Sequence, residues 1–142
     1  MIRTELIHPE ILFALGKAGH GAKVLLADGD YPVSTTLGKN ASVVHLNLSP
    51  GVVGTNQVLN AILTIVPVEA AMVMDVPEGQ GQPEIWDEYK RCFNESGNKI
   101  HLEVLERFKF YEIVATDQTA LVIQTGETRE YANLLLTLGS LW

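Results

Sequence analysis

Lys23-Val24-Leu25-Leu26-Ala27 runs straight into Asp28-Gly29-Asp30, and the fold turns on how that stretch is read. An apolar run of strand length without polar alternation, stopped by an Asp-Gly break, has the form of a strand buried on both faces that feeds a loop. Such a strand needs helices above and below it, and the flanking sequence supplies them. Upstream, Pro9 and Glu10 suit the first turn of a helix whose apolar positions are Ile11, Leu12, Leu15 and Ala18, which predicts a helix over 9–18 ended by Gly19. Downstream, Ser42 to Leu48 reads as a second strand, and Thr55 can cap a helix carrying Val58, Leu59, Ile62 and Val66 until Pro67 stops it. Val68 to Met74 is the next strand, and Pro83 and Glu84 open a helix in which Ile85, Tyr89 and Phe93 recur every four residues until Gly97. His101 to Glu106 alternates like a strand, Phe108 to Val114 reads as a helix, and Ala120 to Thr125 as a strand. The short run Asn133 to Leu138 fits a strand better than a helix. This alternation predicts an α/β fold, a three-layer domain with a mostly parallel (mixed) sheet flanked by helices.

At 142 residues the chain has the length of one domain, and residues 1–142 are read as one. The turn-rich breaks at Ala27 to Asn40 and Val76 to Pro83 are too short to be domain linkers. Ten Lys and Arg against seventeen Asp and Glu leave a net charge of −7, the wrong sign for neutralising phosphates, which excludes DNA, RNA and anionic membranes as partners. Cys92 is alone, the opening Met1-Ile2-Arg3-Thr4-Glu5 lacks a signal pattern, and no apolar run has the length of a membrane span, so the chain is expected in the cytoplasm. With 46% hydrophobic residues and only 19% charged, part of its apolar surface is expected to be covered by other subunits.

Ligands of sheets of this class sit outside the carboxyl ends of the strands, which singles out Asp28. His20 lies on the turn feeding the other end of the same strand. Five residues in a strand span about 17 Å. His20 and Asp28 therefore share a pocket within one subunit only if the Gly19-His20-Gly21 turn curls over, and otherwise meet across subunits. A plain polar turn residue between glycines would look like His20, and a plain turn former like Asp28 before Gly29. Thr125 to Asn133 gathers a carboxylate, a phenol and an amide after the Ala120–Thr125 strand, and Tyr131 and Asn133, two apart, face one side if the segment is extended. Arg107 sits at a strand-to-helix junction among aromatics; the alternative there is core packing of Phe108 and Phe110 with Arg107 on the surface. His20, Asp28 and Asp30 have no recognised ligand spacing, so no metal is expected, and no glycine-rich phosphate loop supports a nucleotide cofactor. Cys92 lies within a helix without an adjacent base, which disfavours nucleophilic catalysis.

Taken in order, Gly19-His20-Gly21, Asp28-Gly29-Asp30-Tyr31-Pro32, Arg107-Phe108-Lys109-Phe110-Tyr111-Glu112, Thr125-Gly126-Glu127 and Tyr131-Ala132-Asn133 resemble the D-ribose pyranase and L-fucose mutarotase family over nearly the whole chain. The Arg107-Phe108 block looks like the fucose mutarotase branch. The resemblance implies that His20 is the proton donor, that Asp28, Arg107, Tyr131 and Asn133 bind the sugar, and that the chains assemble as a decamer. The implied activity is interconversion of the α and β anomers of a free aldose such as L-fucose, with no cofactor. Pyranose–furanose conversion of ribose type and a non-catalytic sugar-binding oligomer are the alternatives. The chemistry suits the residues, since opening a cyclic aldose moves one proton onto the ring oxygen and one off the anomeric hydroxyl, and a His titrates near neutrality.

Overall fold

The computed structural model describes residues 2–142. Helix α1 (Pro9–Lys17) opens with proline at its first turn, buries Ile11, Ala14 and Leu15, and ends one residue before the predicted Ala18, whose backbone is already extended. Strand β1 (Lys23–Ala27) is the predicted apolar run. Strand β2 (Ser42–His45) is shorter than the predicted run to Leu48. Leu46 N–H still donates to Gln124 O at 2.8 Å, but beyond it the chain folds back, with Leu48 N–H donating to Val52 O and Val53 N–H to Leu46 O, so the predicted run does not continue as strand to Leu48.

Helix α2 (Thr55–Leu63) is capped by Gly54, not Thr55. Gly54 N–H is met by the Gln57 side chain at 2.9 Å, while the Thr55 hydroxyl turns inward to Glu127. The helix stops at Leu63, short of Val66, where the Thr64 hydroxyl donates to Ala61 O at 2.6 Å and the backbone tightens into turns. Strand β3 (Val68–Met74), helix α3 (Glu84–Glu95), strand β4 (Leu102–Leu105), helix α4 (Arg107–Val114), strand β5 (Thr119–Gln124) and strand β6 (Leu134–Leu138) follow within a residue or two of expectation.

The six strands lie in the order β2-β5-β1-β6-β3-β4. The β1/β5, β2/β5 and β3/β4 pairs are parallel, whereas β6 runs antiparallel to both its neighbours, β1 and β3. Alternate residues of β1 and β6 enter separate clusters. Val24, Leu26, Leu134 and Leu136 pack with side chains of α1, α2 and α3, while Leu25, Ala27 and Leu135 pack with Phe110 and Val114 of α4. The sheet is therefore the middle of three layers. The antiparallel β6 also brings the loop before it, residues 125–133, to the edge where β1 and β5 end, because Leu134 pairs with Leu26. This register positions the site.

Leu135 and Leu136 are fully buried on opposite faces of the sheet. Leu135→Ala and Leu136→Ala should each lower stability by about 2–5 kcal/mol in urea denaturation. A nearly neutral result for either one would mean that its face is open to solvent.

Candidate functional site

Asp28 is the first residue past β1 and is only 7% exposed. Its N–H donates to Asn133 Oδ1 at 2.9 Å, and Asn133 Nδ2 donates to Asp28 Oδ2 at 2.7 Å. The backbone N–H can only donate and the carboxylate can only accept, so these two bonds fix which way the Asn133 amide faces. Asp30 N–H closes the turn on Asp28 Oδ1 at 3.1 Å. Burial pushes the Asp28 carboxyl above its usual range, against the opposing pull of the Asp30 and Tyr31 N–H groups and the Asn133 amide. Asp28 is thus both a turn former and a buried acceptor facing a cleft.

That cleft, of about 190 Å³, is lined by Asp28, Arg107, Tyr111, Tyr131 and Asn133 among others. Arg107 is the first residue of α4, and the α4 start is held by Glu106, whose carboxylate accepts from Phe108 N–H and Lys109 N–H at 3.0 Å each. Its guanidinium lies 5.8 Å from the centroid of the Tyr111 ring, one helical turn on. Phe110 is buried as core, but Phe108 is 68% exposed, so only one of the two aromatics expected to pack does so. Tyr131 and Asn133 share the cleft as expected, though not through an extended backbone, since Tyr131 is left-handed with φ +58°. Four of the five residues singled out in the sequence therefore meet around one opening.

The fifth does not. His20 stands at the opposite end of β1, where Gly21 N–H bonds to Leu138 O at 2.9 Å and Gly139 N–H to Pro67 O at 2.9 Å. It occupies a separate groove walled by Leu15, Val66, Pro67, Leu138 and Trp142. The turn does not curl over. Instead His20 Nε2 lies 2.8 Å from Glu69 Oε2, with the two side chains 61% and 47% exposed. A carboxylate on one ring nitrogen orients the imidazole and leaves the other nitrogen free to exchange a proton.

Sequence reasoning missed Glu69, and it quoted Tyr111 and Glu127 within motifs without giving either a role of its own. Tyr111 follows Arg107 by four residues, the spacing that puts two side chains on one helix face. Glu127, only 6% exposed, also lines the cleft. Its Oε1 accepts from Thr128 N–H, Arg129 N–H and Arg129 Nε at 3.0–3.1 Å, while Oε2 accepts from Arg129 Nη2 at 3.0 Å and the Thr55 hydroxyl at 3.3 Å. Arg129 in turn donates to Glu88 at 2.8 Å. Burial alone would raise the Glu127 carboxyl, but the Arg129 guanidinium and N–H outweigh it and bring it down to about 2. Glu127 is a fixed anion serving the loop. A carboxylate, an amide, a guanidinium and two phenols suit a compact polyol, and the His20–Glu69 pair suits proton transfer.

The RbsD / FucU transport protein family matches residues 1–141. The fucose mutarotase of Homo sapiens is 32% identical over 145 aligned residues, covering 96% of this chain and 90% of that protein. A D-ribose pyranase of Histophilus somni is 26% identical over 142 aligned residues, covering 98% of each chain. The crystal structure of the fucose mutarotase in complex with L-fucose from Streptococcus pneumoniae superposes with a TM-score of 0.81 at 28% identity, covering 96% of this chain and 95% of that one.

The two buried carboxylates predict opposite pH slopes. Glu127 has a folded pKa below its ordinary 4.5, so its contribution is complete above about 4.5 and is lost as the pH falls toward about 2. Asp28 is raised, so in that group the protonated form favours folding and stability rises as acid is added through its range. Glu127→Gln should therefore remove a loss on the order of 2 kcal/mol, after allowance for solvent around the half-exposed Arg129, from the acid limb of the thermal stability profile. An unchanged acid limb would mean that Glu127 carries no stabilising charge.

Proposed function

The chain belongs to the RbsD / FucU family, and on that footing we propose that it is a cofactor-independent monosaccharide mutarotase, interconverting the α and β anomers of a free aldose such as L-fucose. The observation that carries this reading is the cleft at the end of β1, where a buried carboxylate, an oriented amide, a guanidinium and a phenol face one small opening in a chain 32% identical to a fucose mutarotase. Asp28 accepts from a sugar hydroxyl, Arg107 donates to sugar oxygens, Asn133 holds Asp28 and the sugar, and Tyr131 supplies an aromatic face with a polar tip. His20, oriented by Glu69, delivers a proton to the ring oxygen while water takes the proton of the anomeric hydroxyl, and both transfers reverse on reclosure. The ring C–O bond breaks as the carbonyl forms. Rotation about the adjacent C–C bond and reclosure in the reverse sense give the other anomer.

Because β1 is five residues long, His20 and Asp28 of one chain stand beyond opposite ends of a strand about 17 Å long, too far apart to serve one sugar. The reading therefore includes a second copy, whose His20 completes the cleft. The groove beside His20 carries exposed Leu141 and Trp142, apolar surface that such a contact would cover. A decamer built this way, acting in cytoplasmic carbohydrate metabolism without a metal, is the assembly we infer. The D-ribose pyranase at 26% identity keeps pyranose–furanose exchange as the second reading.

Saturation-transfer proton NMR over a panel of free aldoses separates these cases by which forms exchange. With L-fucose, His20→Ala should slow anomer exchange at least about tenfold, the low end of a general acid–base contribution. Mixing His20→Ala chains with Asn133→Ala chains, each impaired alone, should restore part of the activity through mixed contacts that carry both intact halves. Wild-type exchange in the His20 variant would sink the proton-transfer assignment, and a mixture no better than its parts would sink the shared site.

A further inference from the structure

Tyr131 and Asn133 reach the cleft from a backbone that should not hold itself in place. A left-handed φ of +58° is unusual for a tyrosine and persists only where the surroundings over-determine it. Two donors from α3 provide that constraint. Trp86 Nε1 donates to Tyr131 O at 3.0 Å, and the Tyr89 hydroxyl donates to Ala132 O. Residues 86 and 89 are one helical turn apart on the buried face of α3, and they meet two successive carbonyls of the loop.

We propose that Trp86 and Tyr89 are positioning residues for the sugar, holding the Tyr131 and Ala132 carbonyls against α3 so that the Tyr131 and Asn133 side chains face the cleft. This rests on the mutarotase reading and adds residues that touch no substrate. Neither ring lines the cleft, and both lie in the core behind the loop, so neither contacts the sugar itself. Their only polar atoms are spent on the loop, apart from a 2.8 Å contact between the Tyr89 and Thr55 hydroxyls. Thr55 in turn meets Glu127, so the same anchor reaches the other end of the loop. Burial pushes the Tyr89 phenol well above its ordinary range, which favours its protonated, donating form. Without these bonds, Tyr131 can relax from the left-handed region. Asn133 then loses the geometry in which its amide orients Asp28.

The test compares Tyr89→Phe and Trp86→Phe, which keep an aromatic ring and lose the donor, with Phe93→Leu, which loosens the same helix core but removes no hydrogen bond to the loop. Anomer exchange is measured as a function of L-fucose concentration, alongside thermal melting. Both donor variants should raise KM roughly three- to tenfold with kcat within about twofold, since a small misplacement of binding groups weakens the complex before the chemistry. Phe93→Leu should lower Tm without moving KM. An unchanged KM in both donor variants, or the same rise in Phe93→Leu, would overturn the proposal. If the wild-type chain binds L-fucose but does not speed its exchange, the mutarotase reading fails by itself, and the proposal is then judged by the L-fucose Kd of the same variants from titration calorimetry. A wild-type chain that binds no sugar on the panel overturns both.

Discussion

Two hydrogen bonds between Asp28 and Asn133 join the end of β1 to the start of β6, and the arrangement of the cleft depends on them. They form only because β6 is inserted antiparallel, with Leu26 opposite Leu134, so that the residue leaving one strand faces the residue entering the other. A parallel strand in that place would bring its far end to Asp28. The single reversal in an otherwise parallel sheet thus converts a pair 105 positions apart in sequence into a side-chain contact at 2.7 Å. The surrounding leucines supply the driving force, since every residue of β6 is buried. The amide and carboxylate then tolerate burial because each satisfies the other.

The two buried carboxylates divide the work by environment. Glu127 has a guanidinium on both of its oxygens and stays ionised, which makes it scaffold. Asp28 has only neutral donors and is raised by burial, so its charge is uncompensated within the chain. A carboxylate held in that condition gains more than Glu127 can from a new hydroxyl donor. On the proposed reading, this asymmetry suits Asp28 to accept a hydrogen bond from a sugar hydroxyl and Glu127 to support the loop, although the two line the same opening.

Much of this was legible in the sequence, and the parts that were not have physical reasons. The apolar run at Lys23–Ala27, the proline-led α1 and the four-residue recurrence in α3 report burial through local periodicity, and they appear where expected. The end of β2 was set by hydrogen bonds within residues 46–53, which carry no hydrophobic signal. Thr55 is a good capping residue diverted to a carboxylate 72 positions away, so tertiary demand overrode local preference. Asp28, Arg107, Tyr131 and Asn133 each drew notice at a strand end, a helix start or a polar loop, but it was the family resemblance that grouped them as one set. Glu69 drew none, because a glutamate on an outward position of a strand looks like ordinary solvated surface until the histidine 49 positions earlier folds beside it.

Sequence proximity misleads most at His20 and Asp28. Eight positions apart, they could share a pocket only if the turn at His20 curled over, and it does not, so the intervening strand acts as a spacer. The same burial that makes β1 a reliable strand makes it unable to bend His20 back, because Val24, Leu25 and Leu26 are fully enclosed between the two helix layers. The core therefore fixes the separation of the His20 end from the Asp28 end. On the proposed reading, such a fold can unite proton transfer with sugar binding only by placing one copy's β1 start against another copy's β1 end. The apolar side chains left exposed at these two ends, Trp142 and Leu141 beside His20 and Phe108 beside Arg107, are what that arrangement requires, since a site shared between copies needs adhesive surface around both of its halves.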